Sequence, residues 1–195
     1  MRKLLAANFS RLQKEKTFWL ALAFMSLGAV CYSWISYNEI IRPERFAEDI
    51  IFCMLPVSSF VIAFFISMYL GTEFEEHTIR NRLLVGHSRT QVYFAAYITC
   101  MIASMGMMGM MLLFSTLFGQ MLSLEFQSGL QEILLLFFCC MLLAAVFSAV
   151  EVGICMNVGT RAMSLLASTI FLFSTLLAFF CISALAEDAA TQQSV

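Results

Sequence analysis

The sequence predicts an all-α fold: a polytopic membrane helix bundle with five transmembrane helices. Three observations carry that prediction. The chain of 195 residues is 61% hydrophobic and only 12% charged, about half the charge of an ordinary soluble domain, with a mean hydropathy of +0.87. Apolar runs long enough to cross a hydrocarbon core, roughly 20 residues at 1.5 Å rise, occur five times. These runs are continuous instead of alternating over about ten residues, which suits helices and not the strands of a closed barrel. One membrane domain over 1–195 accounts for the chain.

Residues 1–16 read as an interfacial helix. On a helical wheel Met1, Leu4, Leu5, Phe9 and Leu12 share one arc, and Lys3, Arg11 and Lys14 lie opposite, the pattern of a helix lying in the headgroup plane. A basic segment that only fixes orientation is the alternative. The first span is 17–37, with Trp34 and Tyr37 near its far end, where aromatic belts form. A short acidic loop leads to the second span, 51–73.

The stretch Gly71–Tyr93 then breaks the apolar pattern. It holds three of the eleven basic residues, three of the thirteen acidic ones and both histidines. Thr72 followed by Glu75 matches a capping box, Glu76 and Arg80 form an i,i+4 pair in the favourable order, and Gly86 offers a helix stop. Ser88 with Gln91 is a second capping box, opening the third span, 89–118. The segment 74–87 therefore reads as a short helix, a tight break and a restart. From Ser88 to Phe118 a helix measures about 45 Å, well beyond the hydrocarbon core.

The fourth span, 133–158, carries Ala145, Ala149 and Gly153, a small-xxx-small track that lets backbones approach closely. The fifth, 163–185, repeats the idea with Ser164/Ser168 and Ser174/Ala178, and 186–195 form a polar tail. Counting faces alternately, one side receives nine basic residues and the other only Arg42 and Arg45 beside eight acidic residues. The positive-inside rule then puts the N-terminus and 74–87 in the cytoplasm and the tail outside. A cleavable signal peptide is not expected, because the charged leader is too long.

Glu151 is the one ionisable residue well inside an apolar run. It lies about 15 Å of helical rise from Arg161 and about 28 Å from Glu132, on a face with Ala144, Ser148 and Cys155. That face should turn into the bundle, since a carboxylate facing lipid costs several kcal/mol. Glu151 is either a pathway or gating residue or a structural partner of Arg161 or Arg80. Other chemistry finds little support. The seven cysteines all lie in apolar spans without a C-x-x-C pair and behave as small apolar residues. Met101, Met105, Met107, Met108, Met110 and Met111 point all round one helix with no paired Cys or His, so lining is the default and a Cu(I) path the exception. Glu75-Glu76-His77-Thr78-Ile79-Arg80 matches the E-E-x-x-x-R of intramembrane proteases, but no histidine follows His87. No phosphate-binding loop G-x-x-x-x-G-K-[ST] is present, no nucleic-acid partner is indicated, and the bilayer is the expected surrounding.

Thr78-Ile79-Arg80-Asn81, then Gly86-His87-Ser88-Arg89 and Tyr93, resembles the cytoplasmic segment between the second and third helices of ABC-2 type transporter permeases. Members of the bacterial antibiotic and bacteriocin exporter kind are the most similar. The basic helix leading into Thr17-Phe18-Trp19 is similar to the elbow helix of that family. The resemblance implies that Glu73–Leu84 is a coupling helix seated in a cleft of a separate ABC ATP-binding subunit. Its docking set would be Glu73, Glu76, Thr78, Arg80, Asn81, Arg82, Gly86, Ser88 and Arg89. It further implies a second permease copy or a homologous permease, no cofactor in this chain, and ATP with Mg on the partner. The function implied is the permease subunit of an ATP-driven exporter of a small molecule or peptide in the plasma membrane, not an enzyme.

The chain departs from the family pattern at two points. His77 stands where a Gly is expected, and five spans replace the usual six, with Ala186–Val195 about where the loop before a sixth would begin. A fragment or shortened variant is expected on that count. Two other functions stay open: an ion- or proton-coupled carrier using Glu151, and a non-transporting anchor or immunity subunit.

Overall fold

The computed structural model describes residues 2–38, 47–76, 78, 84, 86, 88–122 and 129–193. Six helices follow one another among these: α1 (Arg2–Lys14), α2 (Lys16–Asn38), α3 (Ala47–Glu75), α4 (Arg89–Met121), α5 (Leu130–Val158) and α6 (Arg161–Gln193). Five of them, α2 to α6, are long and apolar enough to cross a membrane. The all-helical bundle expected from the apolar runs is the fold observed.

The helix ends follow local chemistry. Ser88 caps α4: its backbone is extended (φ −71°, ψ 150°) and its hydroxyl accepts from the Gln91 N–H. Gly86 just before it has φ +98°, a left-handed conformation that glycine adopts without strain. Gly159 closes α5 in the same way at φ 69°, its N–H donating to the Cys155 carbonyl, and α6 restarts at Arg161. Only Glu15 separates α1 from α2, and the Trp19 indole N–H bonds the Gln13 carbonyl across that joint.

Two elements differ from expectation. Thr72 opens no helix. It lies inside α3, which runs on to Glu75, and its hydroxyl donates back to the Tyr69 carbonyl. Continuous backbone hydrogen bonding outcompetes a side-chain cap when the preceding turn is already helical. Likewise α6 continues to Gln193, through most of the expected polar tail; Ala186, Ala189 and Ala190 are strong helix formers.

The bundle is built around α3, which packs on α2, α4, α5 and α6. The outer helices close partly round it, α2 on α4, α4 on α5 and α5 on α6, while α1 packs across α4. Between α2 and α6 a cleft of about 530 Å³ opens onto α3. The most apolar stretches of α3 and α4 are 44% and 50% buried, against 17–22% in the other spans, which marks these two as the interior. Apolar residues face every direction, as lipid demands; Leu20, Phe24, Leu27, Leu135, Phe138 and Ile170 all point outward. Small and polar residues therefore decide which face is inside: Ala29, Ser33, Ala96, Thr99, Ser104, Ala144 and Ser148 are fully buried. On α5 the buried face is Ala144, Ser148, Glu151 and Cys155, as the sequence predicts. The Ala145/Ala149/Gly153 track flanks it, and a side chain at Gly153 would meet nothing within 4 Å; close helix approach does not occur there. Met107, Met108 and Met111 pack in the core of α4.

Candidate functional site

The last two turns of α3 form the first site. Tyr69 stacks on Phe65 (ring centroids 5.7 Å apart) and its hydroxyl donates to the Asn8 carbonyl of α1 at 3.3 Å. Arg11, one turn further along α1, lies 5.5 Å from the centre of the Tyr69 ring. Its guanidinium forks onto α3, donating to Glu73 Oε1 at 3.1 Å and to Thr72 Oγ1 at 2.9 Å, with Glu76 Oε2 at 3.5 Å. Such a planar fork suits Arg and not Lys. Glu73 is fully buried, while the Arg11 side chain keeps 22% of its surface. Thr78, beyond the helix end, donates to the Glu73 carbonyl at 2.8 Å, so the chain leaving α3 is tied back to the same point.

A second contact grips α3 from the other side. Arg161, the first residue of α6, reaches Glu75 at 3.8 Å and donates through Nε to Met68 Sδ at 3.0 Å. Gly71 makes the approach possible, since a Cβ there would stand 2.8–2.9 Å from Cα, Cβ and Cγ of Arg161.

Of the residues expected to dock a partner, Glu73 is turned inward onto Arg11, whereas Glu76, Gly86, Ser88 and Arg89 are exposed and Thr78 is half-buried. Leu84, an apolar residue in the same segment, is 77% exposed. Arg80, Asn81 and Arg82 lie outside the described residues, as do His77 and His87.

The second site surrounds Glu151, on α5. Its carboxylate is fully buried and accepts one hydrogen bond, from Ser168 of α6 at 2.5 Å. Ser168 lies 3.0 Å from Ser67 of α3, which in turn lies 3.6 Å from the Cys155 thiol. Among the described residues Ser168, and not Arg161, is the partner of Glu151; Arg161 is held by Glu75 and Met68. Helix α5 ends at Gly159, so Arg161 starts a separate helix and turns toward α3. Among the described residues no group of three or more His, Cys, Asp or Glu is gathered for a metal.

Sequence reading missed Arg11 and Ser67. Arg11 counted only as one of several basic residues on a polar face, and its spacing to Glu73 carries no local signal. Ser67 sits in an apolar run where serine reads as packing.

The family model described as ABC-2 family transporter protein matches residues 4–177 of the chain. No curated protein and no solved structure matches it. The match runs from α1 through four spans and into the fifth, and includes both the α3 end and Glu151. A multi-pass bundle over that range agrees with a membrane component of a transporter. The chain belongs to the ABC-2 family of transporter proteins.

Proposed function

We propose that the chain is the permease subunit of an ATP-driven exporter, and that 74–87 is the lever through which a separate ATP-binding subunit moves it. The observation that carries this reading is the double grip on the end of α3. Arg11 ties that end to α1, and Arg161 with Gly71 ties it to α6. A push delivered just beyond Glu75 would reach three helices as one rigid body. Packed elements transmit such displacement with little loss, because interiors are poorly compressible.

In this arrangement Glu73 anchors the lever from within, while Glu76, Thr78, Arg80, Asn81, Arg82, Gly86, Ser88 and Arg89 offer the docking surface. The nine basic residues gathered on this side support a cytoplasmic position for it and for the N-terminus. ATP and Mg belong to the partner, and a second permease copy or a homologue completes the pathway for a small molecule or peptide. Replacing Arg80 and Arg82 together by Glu tests the assignment. The double variant is expected to insert normally in the membrane and to lose co-purification with the ATP-binding subunit. Unchanged co-purification would sink it.

A further inference from the structure

Two helices meet α5 beside Glu151, and each brings a hydroxyl. Ser67 comes from α3 and Ser168 from α6; Ser67 and Glu151 are fully buried and Ser168 nearly so. Ser67 and Ser168 stand 3.0 Å apart, and Ser168 stands 2.5 Å from the carboxylate. Among the described residues the other carboxylate oxygen, Glu151 Oε1, has no hydrogen-bond partner. Among the described residues no basic side chain pairs with Glu151, because Arg11 is engaged with Glu73, and Arg161 with Glu75 and Met68. A buried carboxylate with one neutral donor and one bare oxygen favours a compensating positive charge.

We infer that this cluster binds one small monovalent cation, sodium, held by the Glu151 carboxylate and the hydroxyls of Ser67 and Ser168. These oxygens are hard donors, which suit alkali and alkaline-earth ions; the Cys155 thiol touches the cluster at Ser67 (3.6 Å) and is not among the ligands. A single carboxylate balances a single positive charge. A divalent ion would leave a net charge buried, and magnesium releases its water reluctantly. The serines can free their lone pairs for the ion by sending their hydrogens to carbonyls one turn back, as Ser148 and Thr169 already do. Close oxygen spacings favour a small ion over a large one. Ser168 also lines the cleft between α2 and α6. A bound ion would join α3, α5 and α6 at mid-membrane, independently of any ATP-binding partner.

Thermal unfolding of the purified full chain in detergent, at fixed pH and ionic strength, tests the site as sodium replaces N-methyl-D-glucamine. The midpoint temperature is expected to rise saturably with sodium and to rise less with potassium. Glu151→Gln should abolish the sodium-dependent rise, whatever its own starting temperature. Ser67→Ala and Ser168→Ala should each move the half-saturating sodium concentration upward by roughly tenfold or more. Identical curves for the unmodified chain in both cations overturn the site, as does a full sodium response in Glu151→Gln. If Glu151→Gln does not fold, unchanged half-saturation in both serine variants overturns it equally.

Discussion

Glu73 and Glu151 are both fully buried, and the bundle treats their charge in opposite ways. Glu73, at the end of α3, receives a guanidinium from a different helix, with Thr72 and the Tyr69 ring completing the surroundings of Arg11. Glu151, inside the span of α5, receives only a serine hydroxyl among the described residues. The difference follows from position. A long Arg side chain on the flanking helix α1 can reach the end of a span while part of it stays in water. Among the described residues no such anchor reaches Glu151, and a neutral donor serves there. The comparison teaches that the first carboxylate joins two helices through an ion pair, whereas the second joins two through a serine hydroxyl.

The sharpest way to break that contrast is to remove the guanidinium. Arg11→Ala removes the guanidinium from buried Glu73 and from Thr72, and about 2 kcal/mol of stability should be lost, as for a hydrogen bond to a charged group. Chemical denaturation in detergent measures this. The double replacement Arg11→Met with Glu73→Leu should recover most of the loss; if it does not, packing and not charge holds the joint. Next comes Ser168→Ala, measured in sodium-free buffer, which takes away the one hydrogen bond to Glu151 and should cost about 2 kcal/mol. A neutral result would mean that Glu151 has found another partner. The smallest effect belongs to Glu76→Gln. Glu76 is 63% exposed and lies 3.5 Å from the same Arg11, so its stability should stay within about 0.5 kcal/mol. A larger loss would show that the joint is a three-way network instead of a buried pair.

Much of the bundle was legible because lipid imposes length and composition on every span. The Ser88 cap, the left-handed Gly86 and the inward face of α5 were also legible, since each depends on residues within one or two turns. Thr72 misled for the same local reason: its capping pattern is real, but α3 was already hydrogen-bonded through it. The Ala145/Ala149/Gly153 track misled because small residues permit close packing without requiring it.

By itself, then, the sequence determined five membrane-crossing helices, their order, the charge imbalance between their ends and a single acidic residue among apolar neighbours. Those properties are local or additive, and a linear reading captures them. The tertiary structure alone decided that α3 is the hub, that Arg11 finds Glu73 and Thr72 across some sixty residues of chain, that Arg161 closes on Gly71 and not on Glu151, and that Ser67 and Ser168 meet beside Glu151. Spans that are apolar on every side carry no mark of which faces will meet. The choice falls to small and polar residues, whose partners lie on other helices and become visible only when the bundle is assembled.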